Sequence, residues 1–188
     1  MSMPSRGYVK RALLWLVTTT AVYLLMNGAQ IFETLLIVPA WTAAPPASLG
    51  LFQGAYGLDF KAFWIVFHSL HEITFILALA VCWKLKTVRH WLLALLVVHM
   101  AVRVWTLAYF APTIIRFQSI PPSPGVDPAL IQEATRWRTL NLVRVALFMA
   151  VNLALLRPIY RVANMLSASP GPRRHEPPTR GEAVARSP

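Results

Sequence analysis

Four apolar runs set the layout of this chain, and polar positions interrupt each of them at a related place. The runs cover about residues 12–38, 62–83, 91–110 and 137–157. A helix needs about 20 apolar residues to cross a bilayer, and each run is near or above that length. An open sheet cannot satisfy its backbone in lipid, so each run predicts a helix. The expected fold is all-α, an integral membrane four-helix bundle over residues 1–164. The first run does not read as a cleavable leader, because it is too long and Asn27, Gln30 and Glu33 break it.

The segments between the runs are rich in turn formers. Residues 39–60 hold Pro39, Pro45, Pro46, Gly50, Gly54 and Gly57, and predict an ordered loop. Pro121, Pro122, Pro124 and Gly125 break the next loop on the same side. Asp127-Pro128 then suits a helix start, and residues 129–138 extend the fourth run toward it. Residues 165–188 are rich in Pro, Arg and Ser and predict a disordered basic tail, whose arginines suit anionic lipid.

Composition supports a membrane protein. Of 188 residues 56% are apolar and only 13% charged, and the mean hydropathy is +0.52. Cys82 is the only cysteine, which excludes an internal disulfide and a cysteine metal cage. The net charge of +11 would suggest nucleic acid in a soluble protein. Here the cations flank apolar runs, and no basic stretch interleaves with stacking aromatics, so no nucleic-acid partner is expected. Arg6, Lys10 and Arg11 precede run one, Lys84, Lys86 and Arg89 link runs two and three, and Arg157 and Arg161 follow run four. Cytoplasmic flanks carry such an excess, so both termini are expected in the cytoplasm and the protein in the inner membrane, multi-pass.

With that direction and a rise of about 1.5 Å per residue, the polar interruptions fall at one depth. Run one brings Asn27, Gln30 and Glu33; run two brings His68, His71 and Glu72; run three brings His99 and Arg103; run four brings Asn141 and Arg144. His68, His71 and Glu72 share a helix face by their i, i+3, i+4 spacing, and so do His99 with Arg103 and Asn141 with Arg144. Glu33 and Glu72 can neutralise Arg103 and Arg144, which could hardly stay charged alone at that depth. An ionisable group in hydrocarbon marks a functional site by default. The layer predicts a wet pocket opening outward. The competing reading is that polar side chains only join the helices, with Asn27, Gln30 and Asn152 as the leading examples. Trp15, Trp64, Trp83, Trp91 and Trp137 read as interface anchors, and Cys82 as packing.

Three chemistries fit such a layer. His68, His71 and Glu72 offer two imidazoles and a carboxylate from one face, to which Glu33 or His99 could add, so a transition metal is one option. Haem between His99 and His68 or His71 is another. The third needs no cofactor: a His–Glu pair removes a proton from a carbon acid, and Arg103 or Arg144 holds the anion. Phe63, Phe67, Phe75, Trp105, Tyr109 and Phe148 could then bury a flat, lipophilic small molecule.

The start of run four reads Trp137-x-x-x-Asn141-x-x-Arg144, followed by apolar residues. This resembles the closing motif of the four-helix anthrone oxygenase-like (DUF1772) membrane proteins. Asn27-Gly28 through Pro39 is similar to that family's first helix, and Tyr109-Phe110-Ala111-Pro112-Thr113 to the proline motif closing its third. Thr113 and Ile114 stand where the family often has an asparagine. The resemblance covers about residues 13–156 and implies an oxygenase that converts anthrone-like substrates with molecular oxygen. It carries Trp137, Asn141 and Arg144 over as motif positions.

The combined expectation is an oxidoreductase or oxygenase acting on a lipophilic, aromatic substrate. Glu33, His68, His71, Glu72 and Asn141 would serve catalysis, and His99, Arg103, Trp137 and Arg144 would bind substrate. The rivals are a small transport, proton-relay or binding protein, as a monomer or homo-oligomer, and an accessory subunit whose polar layer is structural.

Overall fold

A computed structural model describes residues 4–168. Among them the regular elements are all helical, and four helical stretches are long and apolar enough to cross a membrane: Arg6–Thr42, Lys61–Val81, Lys86–Ser119 and Pro128–Ala168. They alternate in direction. The start of the first stretch, the turn after the second and the last helix form one end, here the terminal end; the two longer connections form the loop end.

The first stretch is α1 (Arg6–Phe32), a π-helical turn at Glu33–Ile37, and α2 (Val38–Thr42). The third repeats that plan: α4 (Lys86–Trp105), a π-helical turn at Thr106–Phe110, and α5 (Ala111–Ser119). In both, a proline stands two residues beyond the π turn, at Pro39 and Pro112. Proline has no amide to return to the preceding turn and its ring crowds that turn's carbonyl. The wide turn absorbs the fault: Val38 N–H reaches Glu33 O, and Ala111 N–H reaches Thr106 O. The sequence places helix ends at these prolines; instead both helices run past them.

The second stretch is α3 (Lys61–Val81), started by the Asp59 carboxylate, which accepts from Lys61 N–H at 2.8 Å. The fourth is α6 (Pro128–Ala154) with α7 (Leu156–Ala168). Asp127 caps α6 by accepting from the amides of Ala129 and Leu130, so the extension of run four toward Asp127-Pro128 is one continuous helix. Pro158 withdraws the amide that Ala154 O would otherwise receive, and the Trp91 indole supplies one instead at 2.9 Å. α7 carries the helix to Ala168, beyond the expected start of the tail at 165. The tail itself, with His175, lies outside the described residues.

The loop end is closed by direct ties. A 3-10 helix (Ala47–Phe52) sits between α2 and α3. Gln53 Nε2 donates to Ile120 O at 2.6 Å, Asp127 N–H to Pro45 O at 3.1 Å, and Arg116 pairs with Glu133. A Cβ on Gly57 would stand 2.6 Å from the Phe52 carbonyl carbon, so only glycine permits that crossing.

Two apolar clusters fill the bundle. The one at the terminal end includes Val9, Leu16, Tyr23, Phe75, Leu92, Phe148 and Val162. The one at the loop end includes Val38, Trp41, Phe110, Phe117 and Trp137. In lipid, burying apolar surface between helices gains little over burying it against acyl chains. In a bilayer, helix pairing would then come from close packing and from polar contacts. Thr19 Oγ1 donating to Thr74 O at 2.7 Å, from α1 to α3, is one such contact.

Candidate functional site

Between the two apolar clusters lie buried polar side chains from all four stretches: Asn27, Gln30 and Thr34, then His68 and His71, then His99, then Asn141. The convergence expected from depth is present, and the layer divides into two parts.

The first part is a group of rings. Tyr23 on α1 shares a 2.9 Å hydrogen bond with His99 Nδ1 on α4. The same tyrosine ring lies 3.9 Å, centre to centre, from His71 on α3. His71 and His99 are 4.7 Å apart, and Phe148 of α6 stands 5.4 Å from His99 and 6.3 Å from His68. Tyr23, His71 and His99 have no solvent-accessible surface, and His68 has 7%. His71 has no hydrogen-bond partner on either ring nitrogen, nor does His68 on Nδ1 or His99 on Nε2.

Charged groups border these rings. Arg103 Nε, one turn beyond His99, donates to Glu72 Oε1 at 2.7 Å. Glu72 sits one residue after His71, so the ion pair and the rings are joined through both α3 and α4. Arg103 and Arg144 both act electrostatically on His68.

The second part surrounds Arg144. Its Nη2 donates to Asn141 Oδ1 at 2.6 Å, and Asn141 Nδ2 donates to Thr34 Oγ1 at 2.9 Å. The guanidinium lies 4.4 Å over the Phe110 ring and 6.0 Å from that of Trp137. Trp137 Nε1 donates to Phe110 O at 3.3 Å. Thr34 belongs to one π turn and Phe110 to the other. The three motif positions of α6 thus grip both wide turns. Glu33, which also interacts with Trp64, is the carboxylate that acts on Arg144. Of the two expected charge pairs, Glu72 forms an ion pair with Arg103, while Glu33 acts on Arg144 only at longer range.

Several expectations need correction. Trp137 is no interface anchor: it is 3% exposed and packs at 5.1 Å against Trp41 and 5.5 Å against Phe110. Asn27 and Asn152 do not join helices, since neither amide atom of either has a partner, and Gln30 Oε1 has none. Asn141 is an amide that does join two of them, through Thr34. Among the described residues, no three His, Cys, Asp or Glu side chains are placed to hold a metal ion. Glu72 turns to Arg103 and His71 to Tyr23, so His68, His71 and Glu72 do not form the expected shell. The His71 and His99 rings pack directly on one another, without a gap for a haem between them. The rings of the layer are enclosed.

Tyr23, Thr34 and Trp41 escaped the sequence reading. A signal for two of them exists: Tyr23, Asn27, Gln30 and Thr34 follow one another at i, i+4, i+7 and i+11, a single helix face.

Comparison of the chain with known protein families, with curated proteins and with solved structures finds no match.

Proposed function

We propose that this chain is a membrane-embedded oxygenase-like enzyme that acts on a lipophilic, aromatic carbon acid by acid–base chemistry. The observation that carries the reading is the set of unpartnered nitrogens on His68, His71 and His99, enclosed beside an ion pair. Polar groups that only join helices bond one another, and buried polar atoms are as a rule satisfied. Here four ring nitrogens have no partner, and their rings pack against other aromatic rings. A ligand bearing one ionisable oxygen on a flat apolar frame would satisfy them and stack on the same rings.

In the proposed reaction the imidazole of His71, beside that of His68, takes a proton from a methylene conjugated through an aromatic ring with a carbonyl. Arg103 holds the enolate oxygen, with Glu72 fixing the guanidinium. Molecular oxygen then adds to the carbanion and water leaves, so a methylene and one oxygen molecule give a ketone and one water. Asn141 and Trp137 position Arg144 and the two π turns, and the resemblance of Trp137, Asn141 and Arg144 to anthrone oxygenase-like proteins supports the substrate class. The enclosed layer implies entry from the lipid side after a local opening. We place the protein in the inner membrane with both termini in the cytoplasm, following the cation flanks.

The test is turnover by the purified, reconstituted protein with anthrone under oxygen. The expected result is one quinone formed per oxygen consumed, at a rate well above protein-free vesicles. Equal rates with and without protein would refute the proposal. A second reading rests on the Tyr23–His99 hydrogen bond and its contact with His71, which form a contiguous file suited to proton relay. Proton flux through proteoliposomes, in the absence of any substrate turnover, would favour it.

A further inference from the structure

The terminal end carries a second chemical feature, remote from the histidine layer. Every carboxylate among the described residues lies elsewhere: Glu33 and Glu72 in the polar layer, and Asp59, Asp127 and Glu133 at the loop end. Both ion pairs among the described residues are likewise away from it. Arg11 on α1 and Lys84 and Lys86 at the turn into α4 are exposed, and none of them pairs with an acid among the described residues.

These cations line two shallow depressions that share Lys84. One, of about 270 Å3, lies between α1 and the end of α3 and is bounded by Tyr8, Arg11, Ala80, Val81, Trp83 and Lys84. The other, of about 210 Å3, runs from Lys84 and Lys86 to Met165 of α7. The first is held in shape by Lys84 N–H, which donates to Tyr8 Oη at 3.2 Å, and the Lys84 ammonium lies 5.9 Å from the Tyr8 ring. Ala80 and Val81 give that depression an apolar wall continuing along α3, and Trp83 stands 52% exposed at its rim.

We propose that this pair of depressions binds the headgroup of an anionic phospholipid carrying two phosphodiesters. One phosphate sits between Arg11 and Lys84, the second between Lys84 and Lys86, and the acyl chains follow Ala80 and Val81. Paired cations beside an apolar wall fit a phosphate joined to a hydrocarbon chain, and basic pockets between membrane helices suit such headgroups. Two depressions that share one lysine, each with a further cation of its own, favour a lipid with two phosphates over one with a single phosphate. A free phosphate would use the cations and leave the wall unused.

Native mass spectrometry of the delipidated full chain tests this. The chain is titrated in neutral detergent with cardiolipin, phosphatidylglycerol, phosphatidylcholine and inorganic phosphate. Cardiolipin should bind most tightly and resist displacement by millimolar phosphate. Near a charged surface each cation is worth about a fivefold change in affinity. Lys84→Gln and Arg11→Gln should each weaken cardiolipin by about that factor, and Arg11→Lys should restore it. Arg136→Gln and Arg138→Gln, on α6 near the loop end, should not change it. Equal retention of phosphatidylcholine, full displacement by phosphate, or unchanged affinity in Lys84→Gln would each overturn the proposal. Since Lys84 is exposed, its substitution leaves the fold intact.

Discussion

Asn141 and Thr34 are joined by a 2.9 Å hydrogen bond from the fourth long helical stretch to the π-helical turn of the first. The bond lies under Arg144, whose guanidinium uses the other end of the same amide. One asparagine thereby sets both the register of two helices and the position of a half-buried cation. A hydrogen bond between membrane helices contributes about 0.6 kcal/mol on average and up to about 1.7. This bond is expected near the upper figure, because losing it also frees Arg144. A double-mutant cycle of Asn141→Leu and Thr34→Val, read by unfolding in mixed micelles, should give a coupling of about 1–2 kcal/mol. Strict additivity would show that the two side chains act independently.

Arg144 is half-buried and bonds Asn141, and the Glu33 carboxylate acts on it without forming an ion pair. A hydrogen bond to a charged group is worth about 1.5–3 kcal/mol, while an exposed pair is worth about 1 kcal/mol or less. Arg144→Leu should therefore destabilise more than Arg116→Leu, whose pair with Glu133 is exposed. Adding Glu33→Leu should recover stability, and adding Glu72→Leu should not. Recovery by Glu72→Leu instead would mean that Glu72, and not Glu33, is the carboxylate that acts on Arg144.

The topology expected from the flanking cations can be read by labelling. Ser123 lies in the loop-end connection and Ser167 near the end of α7, both exposed, while native Cys82 is fully buried. In intact cells an impermeant thiol reagent should label Ser123→Cys and spare Ser167→Cys. The reverse pattern would place the termini outside.

Much of this architecture is legible in the sequence, and the failures have physical causes. Length and hydropathy define the four stretches, because lipid leaves a helix no alternative. Spacing brings His68, His71, Glu72, His99 and Arg103 together, because i, i+3 and i+4 positions share a face on either helix. Pro39 and Pro112 mislead: a proline removes one amide wherever it stands, but whether the helix stops or widens depends on neighbours such as Trp137 and Asn141. The roles of the amides also escape a single sequence. Asn27, Gln30 and Asn141 look alike as polar interruptions, and only the facing helix decides that Asn141 meets Thr34 while Asn27 meets no partner.

Tyr23 connects the rings through His99. Tyr23→Phe keeps the ring against His71 and deletes only the hydroxyl. The variant should fold with a stability loss of about 1 kcal/mol, typical of one hydrogen bond. Nitrogen NMR of labelled histidine should show the His99 Nδ1 signal move while that of His90, exposed beside Arg89, stays. An unmoved His99 signal would remove Tyr23 from the site.

The central claim is that the histidine layer serves a ligand and does not merely hold the helices together. His71 tests it most directly, because both its ring nitrogens are buried without a partner. Replacing a buried, unsatisfied polar group by an apolar one of similar size is about neutral or stabilising. The measurement is the unfolding midpoint of His71→Leu alongside its turnover of anthrone under oxygen. The account predicts a midpoint equal to or above that of the parent and loss of turnover. A well-folded variant with full turnover, or a variant that is strongly destabilised, would contradict it.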